Sequence, residues 1–183
     1  MRAADRTSLR RRAARVRLLL MDVDGVLTDG RLYYLATPKG TEEFKAFDSQ
    51  DGIGLRMAVD AGLRTGVISG RRSAGVEARA KMLRMDWVVQ ETHDKVPAFE
   101  RILREAGCSP AEAAFVGDDF HDVPVLRRAG FAVAVANARP EVRRAAHWTT
   151  RAAGGRGAVR ETVELILRAR GDWSGLLRRY EIL

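Results

Sequence analysis

The feature that most constrains this chain is a short apolar run, Leu18-Leu19-Leu20-Met21, that stops abruptly at Asp22. A brief continuous run closed by turn-forming residues reads as a strand buried on both faces, the kind found in parallel sheets. The pattern recurs at Arg64–Ile68, Trp87–Val89, Ala113–Val116 and Phe131–Val135. Helical patterns separate these runs, over 53–61, 73–84, 96–106 and 122–129, with a last one over 158–169. Strand and helix alternating at this spacing suit right-handed crossovers. The chain is therefore expected to be α/β: a three-layer, Rossmann-like open parallel sheet with helices on both faces.

Such sheets bind ligands beyond the carboxyl ends of their strands. The residues expected there are Asp22 and Asp24 after the first strand, Ser69 after the second, and Gly117-Asp118-Asp119 after the fourth. Carboxylates two apart on a strand end point to the same side, about 6–7 Å from each other. That suits one reacting centre held between a nucleophile and an acid/base. Gly25 allows the sharp turn that follows. Read alone, Asp-x-Asp is equally an acidic turn ending a strand. Ser69-Gly70 offers a hydroxyl and a backbone N–H for phosphoryl oxygens, or simply a turn. Lys95 opens a helix, where the dipole disfavours a cation; it is either recruited to a site or a plain surface lysine. The carboxylates of Gly117-Asp118-Asp119-Phe120-His121-Asp122 repel one another unless a cation intervenes. Hard oxygen donors favour magnesium, while the alternative is a helix cap made by Asp122.

Composition narrows the classes. A chain of 183 residues, 46% hydrophobic and 31% charged, is one ordinary globular domain in size. The single cysteine, Cys108, excludes an internal disulfide framework and a cysteine zinc cage. No apolar run approaches the ~18 residues of a spanning helix, and the basic N-terminus has no apolar core of a secretion signal, so the expected compartment is the cytoplasm. The net charge of +8 is carried largely by arginines near the two ends, from Arg2 to Arg17 and from Arg168 to Arg179. No aromatic residues interleave with the first group, which argues for a solvated arginine surface and against nucleic acid. The chain divides into a basic arm (1–16), one domain (17–170) and a tail (171–183). Within the domain, 31–47 departs from the alternation and reads as a β-hairpin turning at Pro38-Lys39-Gly40, a flap that projects over the rim. Trp87, Phe115 and Phe131 are expected in the core, Tyr33, Tyr34 and Phe44 between subunits, and His121 outside any ligand set.

Taken jointly, Asp22-Val23-Asp24-Gly25-Val26-Leu27-Thr28-Asp29-Gly30, Ser69, Lys95 and Gly117-Asp118-Asp119-x-x-Asp122 resemble the haloacid dehalogenase superfamily of phosphotransferases, over roughly 17–170. The resemblance implies that Asp22 is the nucleophile that accepts the phosphoryl group, and that Asp24 protonates the leaving oxygen and then activates water. It implies that Ser69 and Lys95 hold the phosphoryl oxygens, and that Asp22, the backbone carbonyl of Asp24, and Asp118 bind Mg²⁺. Asp119 and Asp122 would support the metal shell or Lys95. Phosphoryl transfer needs alignment and charge stabilisation above all, which such a set supplies.

Neither 31–68 nor 72–94 has room for a cap domain, so a capless site is expected, closed by a large substrate or a neighbouring subunit. Asp51-Gly52-Ile53-Gly54, Ser69-Gly70-Arg71-Arg72 and Gly154-Gly155-Arg156-Gly157-Ala158-Val159-Arg160-Glu161 resemble the branch of 3-deoxy-D-manno-octulosonate 8-phosphate phosphatases. That branch implies a homotetramer assembled through the hairpins and a small, anionic sugar-phosphate substrate. Ser69, Gly70, Arg71 and Lys95 would bind it, with Arg71 suited to a substrate carboxylate. Gln50, where many relatives have arginine, departs from the pattern. The competing readings are a phosphatase of nine-carbon, sialic-acid-type 9-phosphates, a nucleic-acid end phosphatase, and a non-catalytic binding module.

Overall fold

The computed structural model describes residues 3–38 and 40–183. Arg2 of the basic arm and Lys39 of the expected turn lie outside the described residues. The five apolar runs become strands β1 (Leu18–Met21), β4 (Arg64–Ile68), β5 (Trp87–Val89), β6 (Ala113–Gly117) and β7 (Phe131–Ala134). Together with a two-residue strand, β8 (Trp148–Thr149), they form one parallel sheet ordered β5-β4-β1-β6-β7-β8. β8 is too short to leave a sequence signature. Strands β1, β6 and β7 are buried throughout, as continuous apolar runs demand.

Chain order places the site. From β1 the chain builds outward through β4 to β5, then returns to the other side of β1 with β6. The two crossover directions diverge at the end of β1, which opens a crevice between β4 and β6. Met21 is in register with both Val67 and Val116. One or two residues beyond this rung come Asp22, Ser69 and Asp118, so three separate acidic or hydroxylic segments meet by register alone.

The helices are α1 (Ala3–Ala14), α2 (Ser49–Asp60), α3 (Ala74–Leu83), α4 (Val96–Ala106), α5 (Val123–Leu126), α6 (Pro140–Ala145), α7 (Ala158–Arg170) and α8 (Trp173–Arg179). The expected helix over 53–61 begins earlier, at Ser49, because Asp48 caps it by accepting from the N–H groups of Gln50 and Asp51. The expected helix over 122–129 is a 3₁₀ turn (Phe120–Asp122) followed by α5, since Pro124 fits only a first turn. The basic arm is a docked helix: Leu9, Ala13 and Val16 are buried, α1 packs on α7, and its arginines face solvent. Arg170 fixes the arm's end, donating to the carbonyls of Val16 (3.0 Å) and Ala61 (3.2 Å). The tail forms α8, with Leu176 buried and the Trp173 ring 4.1 Å from the Arg168 guanidinium carbon.

Phe115 and Phe131 lie fully inside, but Trp87 does not. It sits on edge strand β5, half-buried, with its indole N–H donating to Glu105 (2.7 Å) and Arg64 over its ring. The hairpin is β2 (Tyr33–Thr37) paired antiparallel with β3 (Gly40–Phe44). Nothing larger stands between β1 and β4, and no cap domain is present among the described residues. No helix among them is long and apolar enough to cross a membrane.

Candidate active site

At the crevice lies a cavity of about 390 Å³, lined by Asp22, Asp24, Ser69, Gly70, Arg71, Lys95, Asp118, Asp119 and Asp122 together with Gly30, His93 and His121. Every site residue expected from the sequence is on this one surface. The chain turns out of β1 because the N–H groups of Leu27 and Thr28 fold back onto the Val23 carbonyl. Gly25 makes the turn at φ +87°, and a Cβ there would fall 2.2 Å from an Asp118 carboxylate oxygen. Both the backbone angle and the space therefore demand glycine.

Lys95 is the hub. It is only 3% exposed and its ammonium lies 2.7 Å from Asp22 Oδ1 and 2.7 Å from Asp122 Oδ1. An ammonium buried this deeply persists only when paired. Burial works against its charge, but Asp122 and Asp22 outweigh burial and hold its pKa above the usual lysine value. Asp122 Oδ2 meanwhile accepts from the N–H groups of Asp118 (2.9 Å) and Asp119 (3.3 Å). Asp122 thus serves both readings of its segment, as a turn cap and as the lysine's anchor. Asp119 is set apart, its carboxylate accepting from the Phe120 N–H at 2.7 Å.

The remaining carboxylates are under strain of charge. Burial, then repulsion from Asp122, raises the Asp22 pKa to about 6 despite Lys95. Burial, followed by Asp122, Asp22 and Asp119, raises Asp118 to about 8. Asp118 Oδ1 is buried with no hydrogen-bond partner, a costly state for an acceptor. Oxygens of Asp22, Asp118 and Asp122 all lie within 4.8 Å of one another. With all three carboxylates ionised, one lysine leaves an excess of two negative charges, which a hard divalent cation would match. Both oxygens of Asp122 are already taken, so Asp22 and Asp118 are the pair free to hold it.

Around this centre Ser69 is buried, and its Oγ accepts from the Arg71 N–H at 3.2 Å. Gly70 lies under His93, whose Nδ1 would stand 3.0 Å from a Cβ there. The block 154–157 presses on the turn from below. A Cβ on Gly154 would fall 1.7 Å from the Gly25 carbonyl oxygen, and one on Gly155 2.4 Å from the Asp29 N atom. Asn137 bridges the two segments, donating to the Gly25 carbonyl (3.3 Å) and accepting from the Gly154 N–H (2.7 Å). Asp51, fully buried, accepts from the N–H groups of Gly157 (3.2 Å) and Arg160 (2.7 Å). The two glycine-containing blocks singled out in the sequence therefore touch each other, one holding the other against the turn.

Asn137, Glu43 and Lys45 were not foreseen. The Lys45 side chain, 2% exposed, pairs with Asp24 Oδ1 and with Glu43 Oε1 (3.2 Å), and Glu43 Oε2 pairs with Arg71. In the structure Glu43, Lys45 and Phe47 are half-buried while Glu42, Phe44 and Ala46 are exposed, a period of two that the residue types do not mark. The inward face is charged and the outward one carries Phe44, so hydrophobic patterning points the wrong way.

A family model for haloacid dehalogenase-like hydrolases matches residues 58–160. The 3-deoxy-D-manno-octulosonate 8-phosphate phosphatase of Yersinia pestis is 42% identical over 164 residues, covering 90% of this chain and 86% of that protein. A crystal structure of a probable YrbI-family phosphatase from Pseudomonas syringae pv. phaseolica superposes with a TM-score of 0.91 at 44% identity, covering 95% of this chain and 97% of the other. The 3-deoxy-D-manno-octulosonate 8-phosphate phosphatase of Moraxella catarrhalis, solved with magnesium, phosphate and KDO, superposes with a TM-score of 0.91 at 36% identity, covering 95% of this chain and 98% of that one.

Proposed function

The chain belongs to the haloacid dehalogenase-like hydrolases, and from that premise we propose that it hydrolyses 3-deoxy-D-manno-octulosonate 8-phosphate to the free sugar acid and inorganic phosphate, with Mg²⁺ as cofactor. The observation that carries this reading is Lys95 clamped between Asp22 and Asp122 beside the unpartnered Asp118 Oδ1, in a cavity that Arg71 also lines. An anionic nucleophile, a cation site and a reader for a second anionic group are what a phosphorylated sugar acid requires.

In this reading an Asp22 carboxylate oxygen attacks phosphorus as the bond from phosphorus to the sugar oxygen breaks. Asp24 delivers its proton to that departing oxygen. Water then attacks the aspartyl phosphate, its proton passes to Asp24, and the acyl–phosphate bond breaks to restore Asp22 and release phosphate. Lys95 and the Ser69 hydroxyl hold the phosphoryl oxygens. Asp22, Asp118 and the Asp24 carbonyl hold magnesium, which supplies positive charge that offsets repulsion between carboxylate and phosphate. Arg71 meets the substrate carboxylate at the rim, and Asp122 keeps Lys95 aimed.

Assembly follows from the hairpin. Leu32, Tyr34, Leu35 and Phe44 are exposed on it, an apolar group that a soluble monomer gains nothing by presenting. Four copies meeting through these faces in the cytoplasm is the arrangement we infer. Tyr33 also has a local part, stacking on Phe44 at 5.2 Å and donating to Asp29 Oδ2 at 3.0 Å.

The test is phosphate release from octulosonate 8-phosphate, a nine-carbon sugar-acid 9-phosphate and a phosphorylated oligonucleotide, each with and without magnesium. Preference for the first, dependent on the metal, is expected. Equal or better turnover of either alternative overturns the substrate assignment.

A further inference from the structure

An ionic chain runs from the cavity out along the hairpin: Asp24, Lys45, Glu43, Arg71. Both its ends line the cavity, whereas Lys45 and Glu43 do not. Resting on the functional reading above, we propose that Lys45 is a positioning residue for Asp24, fixing the carboxylate that transfers the proton without touching substrate itself.

Three observations carry this. First, burying an ammonium is costly unless its partners recover it, so the Lys45 side chain, 2% exposed, is tied to the place its two carboxylates define. Second, the contact engages Asp24 through a single oxygen, Oδ1. A carboxylate held at one oxygen is restricted in its rotation and keeps the other oxygen for the reacting group, and restricted geometry favours proton transfer. Third, Lys45 is itself held from behind by Glu43, whose other oxygen pairs with Arg71. The acid/base and the rim arginine are thus set by one strand, β3, and its extension. Asp22 leaves the same strand end as Asp24 but pairs with Lys95 at the start of α4 instead, so the side-chain contacts that aim the nucleophile are independent of those that aim the acid/base.

That independence supplies the test. Lys45→Gln and Lys45→Arg are compared with wild type in single-turnover experiments with magnesium. The substrates are octulosonate 8-phosphate, whose alkoxide must be protonated to leave, and 4-nitrophenyl phosphate, whose phenolate leaves without a proton. The glutamine variant is expected to cleave the sugar phosphate about 10²-fold more slowly, the lower range for loss of general acid catalysis. Its first turnover of the aryl phosphate should fall less than about 5-fold, and KM for the sugar phosphate should stay within about 3-fold. An equal loss on both substrates, no loss on either, or a KM effect with unchanged kcat overturns the proposal. Should the glutamine variant not fold, the arginine variant decides alone: selective loss on the sugar phosphate supports the proposal, and equal loss or wild-type rates overturn it. Wild-type enzyme that cleaves the aryl phosphate but no sugar phosphate would instead refute the functional reading, independently of either variant.

Discussion

The position with most at stake is Asp22. Asp22→Asn keeps the shape and the Lys95 contact but loses the anion that, in the proposed mechanism, attacks phosphorus, so turnover should drop by on the order of 10⁴-fold or more. Circular dichroism should show an unchanged fold. In the proposed site Asp118 would govern the metal. With its pKa raised to about 8 by burial and its acidic neighbours, it holds a proton at neutral pH until a cation displaces it. Proton and magnesium therefore compete, and metal affinity should weaken as pH falls below about 8. Calorimetry should register proton release on binding. Magnesium should raise Tm more at about pH 8.5 than at about pH 6.5. Chelation should abolish turnover and added magnesium restore it. Most of these residues were legible in the sequence because each follows an apolar run directly. Lys45 and Glu43 were not, because their strand's inner face looks onto carboxylates and an arginine, and no apolar core marks it.

Among the elements, α7 and the loop before it decide whether the turn after β1 is rigid. Gly154→Ala would drive a Cβ to 1.7 Å from the Gly25 oxygen. The two segments must separate, and we expect a loss of about 2–4 kcal/mol in urea unfolding, together with a fall in turnover. Asp51 makes the same junction sensitive to pH. Burial, against the N–H groups of Arg160 and Gly157, raises its pKa from 3.8 to about 6. A folded-state pKa above the unfolded one adds stability at low pH that is lost as pH rises through the folded value. Relative to Asp51→Asn, which does not titrate, wild type should thus lose on the order of 3 kcal/mol between about pH 4 and pH 6. Thermal melts of both proteins across that window measure it. The sequence marked both blocks as distinctive yet gave no hint that they meet, since 106 positions separate Asp51 from Gly157.

For the molecule as a whole, two surfaces of opposite character matter. The interior is one apolar cluster spanning both faces of the sheet, and Phe115 at its centre is fully buried. Phe115→Ala should cost about 3–5 kcal/mol, read from denaturant unfolding, without reaching the site directly. The hairpin face is the exposed counterpart. If four copies join there, Leu35→Glu should yield smaller species by light scattering, because desolvating a carboxylate in an apolar contact is strongly unfavourable. An unchanged mass would remove the hairpin from the assembly. Much of the basic character lies elsewhere, in exposed arginines of α1 and α8, while aspartates predominate in the cavity lining.

What the chain's own letters determined was the alternation of strand and helix, the rim on which the acidic residues fall, and the family to which such spacing belongs. These follow from local rules: burial sets the period of each element, and a turn must follow each buried run. The tertiary structure alone decided which oxygen meets which nitrogen: Lys95 between Asp22 and Asp122, Asp51 under α7, Asn137 bridging two loops, and Lys45 behind Asp24. Those contacts join segments far apart in the chain, and their energies depend on burial and charge that exist only once the sheet has closed around them.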